Sequence, residues 1–275
     1  IYIDPPYNTG NDGFIYKDNY SESSWASMMS DRIALSLKLM TENSALLVSL
    51  DDKESSILKE ILRAESMQRH GDFVWRTRNT DNRVISNFSL DHESIHVFTP
   101  LGASLSGRTI DRSNFKNPDD DPRGLYTTDP LTGKANATQR PNLHYAVNNK
   151  ITGDIYPPEP DFGWITDKAG FDELIKNDLI YWPANPKTGK PRKKRFLKDT
   201  PPKGPISSFG LSIKQGEGNQ GLADMIGFKA LNFPKPVSIM EAVIDASTNN
   251  NDVIFDYFAG SGTTGHAVIN MNRNE

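Results

Sequence analysis

The sequence predicts an α/β fold, a mostly parallel sheet covered by helices and split by a long insertion. Three observations carry this expectation. Strand-like and helix-like segments alternate over residues 1–100. The texture then changes to a stretch rich in Pro, Gly, Asn, Asp and Lys over residues 101–231. The alternating pattern returns near Phe233 and closes on a strand, a glycine-rich turn and a helix.

The elements follow in order. Residues 1–3 are β-formers, and Asp4-Pro5-Pro6-Tyr7 ends the strand because proline cannot donate to a ladder. Residues 8–13 are loop chemistry. Over residues 21–40, Trp25, Met29, Ile33, Leu37 and Met40 form one apolar stripe at helical spacing, read as core packing. Residues 45–50 are a continuous apolar run, a buried strand. Asp51, three residues before Glu54, resembles a capping box opening a helix to about residue 64. Residues 72–76 and 94–99 are two further strands. Inside the insertion, residues 143–147 and 179–182 are short strand candidates, 171–176 a brief helix and Asp119-Asp120-Asp121 a solvated turn. Beyond it, residues 239–246 are helical, 252–257 a strand and 266–271 a helix. There is no internal repeat.

Composition narrows the class. With no cysteine among 275 residues, a disulfide framework, a Cys metal site and a Cys nucleophile are excluded, and a reducing, cytoplasmic setting fits. No run approaches the ~20 apolar residues of a membrane span. The net charge of −4 argues against a polyanionic partner, but residues 187–198 carry seven Lys or Arg and no acid, a local candidate for phosphate contact. Lys187, Lys190, Arg192, Lys193, Lys194 and Arg195 are the DNA-binding candidates, with Arg140, Arg76 and Arg78 as further cations. Residues 1–3 read as the middle of a strand and Asn274-Glu275 follow a helix directly, so the chain is expected to be a piece of a longer polypeptide.

Two motifs carry chemistry. Gly260-x-Gly262-x-x-Gly265 lies between a strand and a helix, where glycines permit a tight turn and a helix N-terminus offers unpaired N–H groups. It suits a dinucleotide or S-adenosylmethionine. Asp4-Pro5-Pro6-Tyr7 lies at the carboxyl end of a strand, the edge where open α/β sheets bind ligands. A carboxylate, carbonyls held in direction by proline and a flat ring suit the amino group of a flipped-out base. His92-Glu93 mimics a metal pair, but neighbours on a strand face opposite ways, so no metal is expected. His266 is read as packed.

Asp4-Pro5-Pro6-Tyr7 together with Phe258-x-Gly260-x-Gly262 resembles the catalytic and cofactor motifs of DNA amino-methyltransferases. Their order resembles the β group, which places target recognition between the two. IYIDPPYNTGNDGF, NFPKPVSIMEAVI and FDYFAGSGTTGHAV are similar to the Mod subunits of type III restriction-modification systems. The resemblance implies a Rossmann-like S-adenosylmethionine-dependent methyltransferase sheet, with the catalytic half at residues 1–100, a target-recognition domain at 101–231 and a truncated cofactor half at 232–275. It implies that Asp4, Pro5, Pro6 and Tyr7 are catalytic. Asp4 and the Pro5 carbonyl would accept from the adenine amine, and Tyr7 would stack on the base. Lys235, Asp256, Phe258, Ala259, Gly260, Ser261, Gly262, Thr263 and Thr264 would line the cofactor site, with the ribose-binding acid beyond residue 275. The implied activity is methylation of adenine N6. The implied partners are double-stranded DNA, a second copy and a restriction (Res) subunit, with no membrane. Cytosine N4 methylation, a nicotinamide-dependent oxidoreductase and a non-catalytic DNA-binding module are the competing readings.

Overall fold

The computed structural model describes residues 1–10, 16–77, 89–185, 188–211, 215–227 and 234–274. The elements run β1 (Tyr2–Ile3), α1 (Glu22–Leu37), β2 (Leu46–Leu50), α2 (Asp52–Ala64), β3 (Met67–Arg76), β4 (His92–Pro100), β5 (Arg108–Thr109), β6 (Tyr126–Pro130), β7 (Thr132–Lys134), β8 (Val147–Asn148), β9 (Ile155–Tyr156), β10 (Phe162–Trp164), α3 (Lys168–Lys176), β11 (Ile180–Tyr181), β12 (Arg192–Phe196), β13 (Lys203–Gly204), β14 (Phe209–Leu211), α4 (Gln215–Ile226), α5 (Val237–Ser247) and α6 (Thr263–Asn274). The chain forms two compact units. The first combines Ile1–Thr109 with Lys203–Glu275, and the second is Ile110–Pro202.

The first unit is built on a five-stranded sheet ordered β1-β2-β4-β3-β14. β1 is parallel to β2 and β14 to β3, whereas β4 is antiparallel to both neighbours, so β4 alone runs against the other strands. Because side chains alternate across a strand, the buried runs feed two cores. On one face Tyr2, Leu47, Phe73, Trp75, Ile95 and Val97 pack with Ile239, Met240, Val243 and Ile244 of α5 and Ala267 of α6. On the other, Ile3, Leu46, Val48, Leu50 and Phe98 pack with Trp25, Met29 and Ile33 of α1 and Leu58 and Leu62 of α2. Burial on both faces explains why β2 is a continuous apolar run.

Ser21 caps α1 by accepting from the Ser24 N–H. Asp51 caps α2 by accepting from the Lys53 N–H, but Glu54 does not complete a capping box. It turns inward to Asn8 instead. Residues 252–257 lie beside β1 through a bond from the Tyr2 N–H to the Phe255 carbonyl, and this single bond does not make a ladder. β14 and α4 fall inside the stretch read as an insertion. α4 escapes detection because Gly216, Gly218 and Gly221 depress its helix propensity.

The first unit loses and regains the chain at one place. β5 and β13 pair antiparallel, Thr109 opposite Lys203, and the pair is tied to the end of α5. The Thr109 N–H donates to Asp245, and Lys203 Nζ donates to the Asp245 and Thr248 carbonyls.

The second unit holds the sheets β7-β10, β6-β12-β11 and β8-β9 around a core of Leu131, Val147, Tyr156, Trp164, Phe171 and Ile180. Residues 143–147 are not one strand. A 3-10 turn occupies Pro141–Leu143, and only Val147 and Asn148 pair. No helix among the described residues is long and apolar enough to cross a membrane.

Candidate active site

β1 ends at Ile3 and delivers Asp4 to the edge of the sheet, and the segment behind it is held by directional bonds. Trp25 Nε1, buried on α1, donates to the Pro6 carbonyl at 2.8 Å. Asn8 is buried with φ of 58°, a left-handed conformation that asparagine tolerates. Its Nδ2 donates to Glu54 Oε1 at 2.7 Å, its Oδ1 accepts from the Tyr20 N–H at 2.7 Å, and its N–H donates to Asp18 Oδ1 at 2.8 Å. Asp18 also takes the Thr9 N–H, and Lys53 donates to the Asn8 carbonyl.

In front of this support lies a buried charged cluster. Lys235 is only 9 % exposed. Its Nζ donates to Tyr7 Oη at 2.8 Å and Glu93 Oε2 at 2.9 Å, and stands 3.3 Å from Asp4 Oδ1. Tyr7 Oη donates to Glu93 Oε2 at 3.1 Å, and Lys235 Nζ sits 4.8 Å from the centre of the Tyr7 ring. Asp4 Oδ1 is buried and accepts no hydrogen bond. Burial raises the Asp4 pKa, the Lys235 charge opposes the rise and the Glu93 charge adds to it. Burial alone would lower the Lys235 pKa, but Asp4 and Glu93 outweigh it and hold the ammonium charged. Glu93 carries no motif, and its neighbour His92 points away toward Asp52. Alternation on β4 was the one available signal, since it turns exactly one of the pair inward.

Residues from the two motifs line one cavity of about 420 Å³ within the first unit. Tyr2, Asp4 and Pro6 meet Lys235, Asp256, Phe258, Ala259, Gly260, Ser261, Thr263 and Thr264, with Tyr16, Lys17, Tyr20 and Arg32 also in its wall. Pro5, Tyr7 and Gly262 are not in that lining. Gly260 and Gly262 have φ of 51° and 77°, and no atom lies within 4 Å of a Cβ built on Gly262. Backbone conformation, not crowding, requires glycine there. The Gly262 N–H closes the turn on the Ala259 carbonyl at 2.7 Å, and α6 starts at Thr263 with its N-terminus at the cavity. Asp256 shapes the same turn, accepting from the Phe258 N–H and the Thr264 hydroxyl, and burial raises its pKa. Gly218 of α4 packs against the backbone before α5, where a Cβ would lie 2.2 Å from the Pro234 carbonyl oxygen.

A family model for DNA methylases, the N6/N4 methyltransferases, matches residues 1–275. The chain belongs to that family. It is 26 % identical to the Mod subunit of the type III restriction-modification enzyme StyLTI of Salmonella typhimurium, covering 100 % of this chain and 47 % of that protein. It is 27 % identical to the EcoPI Mod subunit of Escherichia phage P1, covering 100 % and 52 %. It is 28 % identical to the type II methyltransferase M.KpnI of Klebsiella pneumoniae, covering 98 % and 71 %. The crystal structure of the M1.HpyAVI–SAM complex superposes with a TM-score of 0.45 at 16 % identity, covering 98 % of this chain and 77 % of that one. The chain spans about half the length of the Mod subunits it matches.

In this member of the DNA methylase family the basic segment is less free than its composition suggests. Lys194 is 5 % exposed, and its Nζ lies 2.8 Å from both Asp119 and Asp121. It is removed from the phosphate-contact set because β12 turns it inward. The reading of residues 119–121 as a solvated turn is corrected with it, since Asp121 is buried and also binds Arg123. The Arg123 hydrogen bond holds the Asp121 carboxyl well below the usual range despite desolvation. Arg192 donates to the Thr128 hydroxyl and carbonyl, Arg195 pairs with Asp129 at 2.9 Å, and Lys190 donates to the Pro157 carbonyl. Lys193 is exposed. Lys187 and Arg78 lie outside the described residues. Arg76 is exposed at the end of β3, and His266 is half-buried on α6. Arg140 lines a cleft of about 580 Å³ in the second unit, with Lys134, Asn136, Gln139, Asp161 and Phe162.

Proposed function

We propose that this chain is the transfer and recognition part of a site-specific DNA methyltransferase that methylates the N6 amine of a flipped-out adenine, as the Mod subunit of a type III restriction-modification system. The observation that carries the reading is the shared cavity, whose wall brings Asp4 together with the glycine turn and the N-terminus of α6.

The residues present fit S-adenosylmethionine. The left-handed glycines leave open space over the turn, the helix N-terminus suits the carboxylate of the methionine tail, and Lys17 and Arg32 stand in the same wall. When bound, the cofactor supplies an electrophilic methyl group on a sulfonium. The Asp4 carboxylate, 28 % exposed although its Oδ1 is buried, accepts one N–H of the target amine through its other oxygen, and the Pro5 carbonyl accepts the second N–H. Drawing on both N–H groups favours the pyramidal nitrogen that carries a localised lone pair. That is orientation and electrostatics supplied by fixed groups. Tyr7 offers a face for the base, its ring pinned through its hydroxyl. The aspartate in the first motif position favours adenine over cytosine, by resemblance.

The second unit has the character of a DNA-reading module. It carries fifteen Lys or Arg against thirteen Asp or Glu, whereas the first unit is acidic. Its cleft offers Asn136, Gln139 and Arg140, groups of the kind that read base edges. A second copy and a restriction subunit are the expected partners, in the cytoplasm.

The test is methyl transfer from labelled S-adenosylmethionine to unmethylated DNA by the full-length natural protein, with the modified base identified by mass spectrometry. N6-methyladenine is expected. N4-methylcytosine would overturn the base assignment, and no product with DNA and cofactor both bound would overturn the enzymatic reading.

A further inference from the structure

Glu93 belongs to neither motif, yet it touches both groups that touch Asp4. It lies near the start of β4, the central strand, where its backbone pairs with Trp75 of β3. It accepts from Lys235 and from Tyr7 through the same oxygen. The Lys235 ammonium has three protons. Glu93 and Tyr7 take hydrogen bonds from it at 2.9 and 2.8 Å, while Asp4 stands farther off at 3.3 Å and receives none. Asp4 therefore meets the positive charge through its buried Oδ1, while the carboxylate as a whole stays 28 % exposed in the cavity wall. Without Glu93, Tyr7 alone remains to hold the ammonium, and the existing 3.3 Å ion pair with Asp4 tightens. The tighter pair would draw the carboxylate toward Lys235 and away from the position the target amine needs.

We propose that Glu93 is a positioning residue of the transfer site, holding Lys235 and Tyr7 so that the Asp4 carboxylate stays charge-balanced and open to the incoming amine. This rests on the methyltransferase reading for its consequence, but the coupling itself is a property of the four side chains. Among the described residues, Asp4 interacts with Lys235, Glu93 and the phenols of Tyr2, Tyr7 and Tyr16, and Lys17, Arg32 and Asp256 stand in the same cavity wall. Of these, Glu93 is the negative charge that raises Asp4, so removing it and letting Lys235 approach act in the same direction.

The test uses the full-length protein with Glu93→Gln, which keeps the shape and an acceptor, and Glu93→Asp, which keeps the charge on a shorter arm. The Asp4 titration is followed by carbon NMR on protein labelled at aspartate carboxyls, with the resonance assigned through Asp4→Asn. In Glu93→Gln the Asp4 midpoint falls by about one pH unit, as expected when a neighbouring like charge is removed. Cofactor affinity, measured by calorimetric titration, stays within about twofold, while kcat falls about 10- to 100-fold, as for a misplaced reacting group. Glu93→Asp retains the parent midpoint. An unchanged midpoint in Glu93→Gln overturns the proposal whatever the activity, as does a kcat loss matched by an equal loss of cofactor binding. A parent protein that transfers no methyl, with the midpoint still shifted, overturns the methyltransferase reading and leaves the Glu93 coupling standing.

Discussion

Replacing Asn8 with alanine tests how firmly the Asp4–Tyr7 segment is held from behind. The side chain makes two buried hydrogen bonds, to Glu54 and from the Tyr20 N–H. Losing the bond to the Glu54 carboxyl costs about 1.5–3 kcal/mol, because a charged acceptor is left buried. Leaving the Tyr20 N–H without its acceptor costs about 1 kcal/mol more. The backbone φ of 58° adds about 1 kcal/mol for alanine. The total is about 4 kcal/mol, a large part of the ~5–15 kcal/mol that stabilises a typical domain. At ~2–4 °C per kcal/mol for a unit of this size, the melting temperature should fall by about 10 °C. Asn8→Gly removes the same bonds without the conformational strain, so it should melt a few degrees above Asn8→Ala. Urea denaturation of both variants gives the two free energies directly. A loss under about 1 kcal/mol in Asn8→Ala would refute the claim that this network carries the segment. Equal losses in the two variants would refute the backbone part of the argument.

Other predictions follow from the same geometry. Gly262→Ala places a methyl group in open space but at φ of 77°, so it should weaken S-adenosylmethionine binding about tenfold in calorimetric titration, from ~1–2 kcal/mol of strain in the turn. Gly218→Ala sets a Cβ against the Pro234 carbonyl, which must shift, so it should lower kcat through Lys235 while the helical circular dichroism signal persists. Lys194→Ala leaves Asp121 with Arg123 alone and should destabilise the second unit by about 2 kcal/mol, below the ~3–5 kcal/mol of a fully broken buried pair, with no change in the salt dependence of DNA binding. A reduced salt slope in Lys194→Ala would return that lysine to the phosphate-contact set.

What could be read from the sequence depended on whether the signal was local. β2 and the stripe of Trp25, Met29 and Ile33 were legible because periodicity reports which face is buried. The turn at Gly260 and Gly262 was legible because left-handed backbone selects glycine. β4 running against its neighbours was not legible, since strand direction is set by connections and not by composition. The ends of the second unit were obscured because β13, β14 and α4 carry the same glycine, proline and polar texture as the unit they follow. Lys194 looked like part of a cationic run, but alternation on β12 buries every second residue, and the acids that neutralise it lie more than seventy residues earlier. Glu93 was illegible for the same reason, because its partners Tyr7 and Lys235 are separated from it by 86 and 142 residues.

The buried polar groups around the tetrapeptide do not make sense as stabilisation. Asp18, Glu54 and Lys235 are buried and Glu93 is partly so, and each ion taken from water costs several kcal/mol that pairing repays only with good geometry. Apolar residues of similar volume would hold the loop against the sheet at least as strongly. They would not hold it in one place, because hydrophobic contact has no preferred direction. The bonds here come from separate elements. Trp25 reaches Pro6 from α1, Glu54 reaches Asn8 from α2, Glu93 reaches Tyr7 from β4 and Lys235 reaches Tyr7 from the segment before α5. A displacement of the tetrapeptide along any one direction lengthens at least one of them. Since a misplacement of ~1 Å can cost about a hundredfold in rate, a network that is costly in stability is the expected construction for the role proposed for Asp4, which depends on where its carboxylate is held.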